Sequence, residues 1–324
     1  MKQNSPNIEQ SAGNSVEMAT IDQQNAGQRI DNFLLARLKG VPRSRIYRIL
    51  RKGEVRVNKG RIKATYRLKA GDVVRIPPVR RSERTALQDI SPGLRQLLLD
   101  AIVYEDDDLL ILDKPSGLAV HGGSGIKSGL IESIRTIKPV WTTLELAHRI
   151  DRETSGCLIL AKQRSSLNAL HELFREGQIN KGYLTLVAGI WDSKNTMIDA
   201  PLDRNNRTEG ERNVKVSEQG KRAVSHFKLL SHYRKQLSCS MLEVRIDTGR
   251  THQIRVHAAY AGHPVVGDDR YGDREINRSL RKMGLKRLFL HAHDLEFRLP
   301  DSNKTIHVHA PLPTDLKQLL DKLE

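Results

Sequence analysis

One carboxylate stands between two arginines in the run His148-Arg149-Ile150-Asp151-Arg152-Glu153-Thr154-Ser155-Gly156. An acid held among positive charges stays ionised, and an ionised carboxylate in a cleft can act as a nucleophile. The Thr-Ser-Gly that follows is turn-prone, so the acid belongs to a loop. Three other segments carry groups suited to the same site. Gly249-Arg250-Thr251-His252-Gln253-Ile254-Arg255 reads as a turn entering a helix, a place where anions bind. Arg255 lies about one turn inside, where its guanidinium can pair with a carboxylate. Lys181-Gly182-Tyr183 puts an aromatic ring on a strand beside basic charge, suited to stacking a base. Arg287-Leu288-Phe289-Leu290-His291-Ala292 is an apolar strand able to line a pocket wall.

Elements that position these groups follow from periodicity. Strands are expected at 101–104, 109–112, 157–161, 181–187, 237–247, near 293–298 and at 304–309. Helices are expected at 165–176 and 252–260 and at the C-terminus. Asp106-Asp107-Asp108 reads as a hairpin turn. His121-Gly122-Gly123-Ser124-Gly125 lacks the final glycine of a G-x-S-x-G elbow, because Ile126 stands there, and reads as a flexible loop. Strands adjoin one another too often for a regular βαβ chain. The expected class is therefore α+β, a mixed and largely antiparallel sheet with flanking helices.

A smaller module precedes it, and the expected division is a tail at 1–18, the module at 19–80, a linker at 81–97 that ends in a short helix, and a catalytic domain at 98–324. The module reads as helix 29–38, helix 43–52, strands at 54–58 and 72–76, and a turn at Asn58-Lys59-Gly60. Arg45, Arg48 and Lys52 recur at helical spacing on one face, with Arg43 at the helix start. From Arg43 to Arg67 there are ten basic residues and one acid, Glu54. Such a density favours a phosphate-binding surface over a merely solvated face.

Composition agrees with a polyanionic partner. The 324 residues carry 54 Lys+Arg against 38 Asp+Glu, a formal charge of +16. That balance fits nucleic acid or an anionic surface. No uncharged apolar run reaches the roughly 18 residues of a membrane span, and the N-terminus has no apolar segment of a secretory signal. Cys157 and Cys239 each sit beside apolar residues, which favours buried thiols over a disulfide. No histidine pair shows the H-E-x-x-H spacing of a zinc site, and no acid cluster matches a two-metal nuclease. The reading is a cytoplasmic monomer with no metal and no cofactor.

The runs "DKPSGLAVHGG", "HRIDRETSG", "KGYLTLV", "TGRTHQIRVHAAYAGHPVVGD" and "RLFLHA" resemble, in order and spacing, those of RNA pseudouridine synthases with the H-R-L-D-x-x-T-S-G signature. Residues 98–310 carry that resemblance. Ile150 replaces the usual leucine, and Thr185-Leu186-Val187 departs from the commoner pattern after Tyr183. The basic module is similar to the S-four RNA-binding domain, an α/β unit whose second helix meets structured RNA by shape. The resemblance implies that Asp151 is the catalytic nucleophile, attacking either the uracil ring or the ribose. Arg255 holds it charged, and Tyr183 stacks on the uracil and takes the C5 proton. His148, Arg149, Arg152, Arg250, Thr251, His252 and Leu290 would face the RNA. It further implies large-subunit (23S) ribosomal RNA as substrate and partner. Another structured RNA such as tRNA, or a non-catalytic ribosome-assembly role, are the alternatives.

Overall fold

The chain forms two units, residues 1–89 and 90–324. The computed structural model describes residues 15–23, 25–38, 41–79, 90–122, 129–141, 143–205, 213–300 and 305–324. The expected tail before residue 15, linker at 81–89 and loop at 123–125 lie outside the described residues.

The first unit runs β1 (Glu17–Thr20), α1 (Ile30–Arg37), α2 (Arg43–Lys52), β2 (Arg56–Val57), β3 (Gly60–Arg61) and β4 (Val73–Ile76). Its sheet has the order β1-β4-β2-β3. β1 begins inside the span expected to be a tail, because Glu17 to Thr20 pair in register with Ile76 to Val73. Asn58 and Lys59 take positive φ, the two-residue hairpin turn that joins β2 to β3. Ile46, Ile49 and Leu50 of α2 enter the core with Phe33 and Leu34 of α1. That leaves Arg43, Arg48 and Lys52 exposed and Arg45 half-buried.

The second unit runs α3 (Pro92–Asp100), β5 (Ile102–Glu105), β6 (Leu109–Lys114), α4 (Leu130–Ile137), β7 (Glu145–Leu146), β8 (Ser155–Ala161), α5 (Arg164–Glu176), β9 (Asn180–Ala188), β10 (Met197–Asp199), β11 (Leu202–Asn205), β12 (Asn213–Val216), β13 (Val224–Tyr233), β14 (Cys239–Ile246), α6 (Gln253–Tyr260), α7 (Arg274–Lys282), β15 (Leu290–Arg298), β16 (Thr305–His309) and α8 (Thr314–Leu323). α3 starts within the span expected to be linker. Ser91 caps it by accepting from Leu94 N–H, and its Leu98 is fully buried.

Ten strands form one sheet, in the order β10-β13-β14-β9-β15-β8-β6-β5, with β16 on β15 and β7 on β8. The runs Leu109–Leu112 and Cys157–Ala161 are buried on both faces. Leu109, Ile111 and Ile159 pack on α5, while Leu110, Leu112, Leu158 and Leu160 pack on α4. This is why they read as continuous apolar runs rather than alternating ones. Each such side chain contributes roughly 1.5–3 kcal/mol by leaving water.

Every ladder of this sheet but one is antiparallel. The exception joins β15 to β8, pairing His291 with Ser155 and Ala292 with Gly156. At this seam the two strands begin side by side. The Asp151 loop enters β8 there, and Leu290 opens β15. Tyr183 of β9 shares a buried cluster with Leu290 and with Ile254 of α6.

Candidate active site

The loop carrying Asp151 is held from below by the Asp113-Lys114-Pro115-Ser116-Gly117 turn. Lys114 is fully buried, and its ammonium donates to the carbonyls of Pro115 (2.8 Å), Leu118 (3.1 Å) and Arg152 (3.0 Å). Those acceptors match the three donors of an ammonium group. Gly117 N–H donates to Arg152 O as well, and Ser116 Oγ donates to Glu153 O. Burial pulls the Lys114 pKa down to about 7. Thr154 N–H closes a turn onto the Asp151 carbonyl. Gly156 has φ +106°, and an added Cβ would lie 2.2 Å from the Ala292 carbonyl, so only glycine lets the loop enter the parallel seam. Ser155 Oγ sits 2.9 Å from His291 Nδ1 and accepts from Arg287 Nη1 at 3.0 Å, which fastens the loop to β15.

Above the loop, Arg255 Nη1 donates to Asp151 Oδ2 at 3.1 Å. The same guanidinium donates through Nε and Nη2 to both oxygens of Asp268, at 2.7 and 2.8 Å. Asp268 has a wholly buried side chain and also accepts from the N–H groups of Arg270 and Tyr271. Burial pushes its carboxyl up, but the bonds and charge of Arg255 outweigh that and hold it below the ordinary value. Burial likewise opposes the charge on Arg255, and Asp268 overcomes it and raises its pKa. Gly267 sets the approach of Asp268: its φ is +75°, and a Cβ there would meet the Arg287 carbonyl at 2.1 Å. The Tyr271 ring lies 5.2 Å from the Arg255 guanidinium carbon.

Asp151 faces two concavities. One is a small pocket lined by Asp151, Ile150, Tyr183, His252, Arg255 and Leu290, among others. Tyr183 is buried, and its hydroxyl has no hydrogen-bond partner among the described residues. Burial, reinforced by the charge of Asp151, pushes its phenol pKa well up. The other is an open cleft of about 690 Å³. Its walls include Arg149, Arg152, Arg270, Arg274, Arg281 and Lys286. The arrangement is a gripped carboxylate at the floor of a small ring-sized pocket, beside a cleft rich in cations. That suits a flipped-out nucleotide with its phosphates alongside.

Residues 108–260 match the RNA pseudouridylate synthase family, and residues 28–74 match the S4 domain. The chain is 53% identical to the ribosomal large subunit pseudouridine synthase C of Escherichia coli strain K12, over 95% of this chain and 97% of that one. It is 50% identical to the protein of the same name from Pasteurella multocida, over 95% and 94%. The chain belongs to the RNA pseudouridylate synthase family. Among solved structures, human RNA pseudouridylate synthase domain containing 4 aligns with a TM-score of 0.57 at 25% identity, covering 71% of this chain and 95% of that one. The α+β class with its largely antiparallel sheet is thus the architecture of a pseudouridylate synthase, preceded by an S4 domain.

Not every residue expected at the RNA side faces it. His148 points inward: its Nε2 accepts from Ile159 N–H at 3.0 Å and its ring packs 4.9 Å from Phe174. Burial, with some repulsion from Lys181, holds its pKa at about 3. It is a strut beneath the loop and touches neither concavity. Thr251 lines neither concavity. In the turn before α6, Gln253 Oε1 accepts from Arg250 N–H and from Thr248 Oγ1. Arg250 still lines the small pocket, while its Nε donates to Arg222 O. Arg149 borders both concavities, and Arg152 borders the cleft with its Nε on Gly117 O.

Asp268, Tyr271 and Lys114 were not singled out from the sequence. The signal was present in part: in Val265-Val266-Gly267-Asp268 a single glycine separates an acid from an apolar pair. Neither Asp268 nor Lys114 shows its partner from spacing alone.

Proposed function

We propose that this chain converts uridines of large-subunit ribosomal RNA to pseudouridine, with Asp151 as the nucleophile. The observation that carries the reading is the buried Asp268–Arg255 pair holding Asp151 at the floor of the Tyr183 pocket. Relatives named for that activity match the chain almost end to end. The reaction breaks the N1 to C1′ bond, forms a C5 to C1′ bond and moves the C5 proton, so atoms balance within the nucleotide. No external oxidant, reductant or donor enters, and the proposal includes no cofactor.

In this reading Asp151 attacks the uracil ring or the ribose. Tyr183 stacks on the uracil and relays the C5 proton: its phenol, kept neutral by burial, gives its own proton toward N1 as it takes the one from C5. Leu290 and Ile150 exclude water, which strengthens the Arg255–Asp151 interaction. Arg149 and Arg152 hold the phosphates that flank the flipped uridine, continued along Arg274 and Lys286. The S4 domain, through Arg43, Arg45, Arg48 and Lys52, docks the RNA by its backbone. The enzyme acts as a monomer in the cytoplasm.

Two measurements test this. Asp151→Asn should release no tritium from C5-labelled uridine in 23S ribosomal RNA while binding that RNA normally. Wild-type release by the variant would end the proposal. Chemical mapping of ribosomal RNA from cells lacking the protein should show specific pseudouridines missing. A complete set there, with losses in tRNA, would redirect the substrate.

A further inference from the structure

Two side-chain nitrogens face one oxygen of Asp151. Arg255 Nη1 lies 3.1 Å from Oδ2, and His252 Nε2 lies 3.9 Å from the same atom. Oδ1 has no hydrogen-bond partner among the described residues. A single contact to Oδ2 leaves the carboxylate free to turn, because its terminal torsion is broad and two-fold. A second donor would lock it.

His252 is held in an unusual way. It is the residue before α6 and takes φ +54°, a left-handed conformation that side chains with a Cβ seldom adopt. Such outliers persist only where surrounding contacts over-determine them. Here the contact is Tyr271, whose hydroxyl lies 2.9 Å from His252 Nδ1 and whose ring meets the imidazole edge-on at 5.6 Å. The phenol is itself fixed, since its oxygen accepts from Val214 N–H at 3.1 Å. If Nδ1 carried the proton, the phenol would accept twice and its own proton would have no acceptor. The network therefore has the phenolic O–H donate to an unprotonated Nδ1 and leaves the imidazole proton on Nε2, facing Asp151. Burial keeps the imidazole neutral by lowering its pKa.

We propose that His252 is a positioning residue for Asp151. Tyr271 presents its Nε2–H to Oδ2, so that Arg255 and His252 together hold that oxygen and leave Oδ1 as the reacting atom. The 3.9 Å gap closes when substrate fills the pocket, as hydrogen bonds of empty active sites commonly tighten on binding. This role differs from RNA contact, and it rests on Asp151 being the nucleophile. Tyr271 serves both donors, because its ring also lies against Arg255 and its N–H donates to Asp268.

The test compares His252→Leu with His252→Gln in the full-length chain, under single turnover with saturating C5-tritiated 23S RNA. Both variants carry the same backbone strain, and only glutamine returns an N–H near the reach of Nε2. His252→Leu should slow the saturating rate about ten- to a hundredfold, the worth of one hydrogen bond to a charged group. His252→Gln should recover most of that loss, and RNA affinity should hold in both. Tyr271→Phe should lose rate, and adding it to His252→Leu should cost nothing further. Equal loss in Leu and Gln would overturn the proposal, as would a loss confined to RNA affinity or no loss at all. Should Asp151→Asn turn over normally, the nucleophile reading itself fails, an outcome separate from any of these.

Discussion

Arg255 and Asp268 form a two-pronged ion pair, 2.7 and 2.8 Å, behind the single 3.1 Å contact from Arg255 to Asp151. The geometry divides the labour between two acids. Asp268, with its side chain wholly buried, anchors the guanidinium, while Asp151 remains about one-fifth exposed and open to substrate. A lysine cannot replace this arginine, because an ammonium lacks the planar fork that reaches three oxygens.

Asp268→Asn leaves a buried guanidinium short of its counter-charge, at a cost of about 3 kcal/mol in stability. Arg255 holds the Asp268 carboxyl below its ordinary 3.8 against the opposing effect of burial. A carboxylate depressed in the folded state adds stability above its unfolded pKa and loses it as pH falls through the folded one. The gap between wild type and variant in urea unfolding should therefore be constant above about pH 5 and shrink below about pH 4. A gap unchanged at low pH would show that the pair is not what stabilises the site.

Tyr183→Phe removes only the phenolic oxygen and keeps the ring. Without a proton acceptor at C5 the rate should fall by about 10²–10⁴ with RNA affinity unchanged. A phenylalanine variant near the wild-type rate would leave Tyr183 as a stacking surface and place the proton elsewhere.

Lys114→Met deletes the ammonium that satisfies three carbonyls under the Asp151 loop. Stranding buried acceptors costs roughly 1–3 kcal/mol each, reduced where they have a second donor as Arg152 O does. The variant should lose about 3 kcal/mol in denaturant unfolding and most of its turnover. Activity without stability loss would contradict a strut.

Replacing Arg43, Arg48 and Lys52 together with serine should weaken RNA binding and flatten its salt dependence. Each lost phosphate contact lowers the log–log slope by roughly 0.7–0.9. These side chains are exposed on α2, so the fold of the unit should persist, which circular dichroism can confirm. An unchanged slope would mean that this helix does not carry the RNA.

Much of the frame was legible because it is local. α2 spans Arg43–Lys52 and α5 spans Arg164–Glu176, close to what apolar spacing predicts, since one helix face must reach the core. β6 and β8 stood out as apolar runs for the same reason. Other elements, among them α4, β10 to β13 and α7, escaped notice. β13 alternates buried and exposed residues but is rich in Ser, His and Lys, and α7 is so charged that only Asn277 and Leu280 are buried.

The site divides along the same line. By itself the sequence determined the loop that bears Asp151, the turn into α6 that bears Arg255, and the strand that bears Tyr183, because turn residues and periodicity act over a few neighbours. Tertiary structure alone decided that Asp268 anchors Arg255, that Tyr271 turns His252 toward Asp151, and that His148 faces the core. Arg255 and Asp151 are 104 residues apart and meet only once β15 pairs with both β8 and β9. A charged group's partner depends on what packing brings within about 3 Å of it and what water packing removes, and neither is written in the order of the chain.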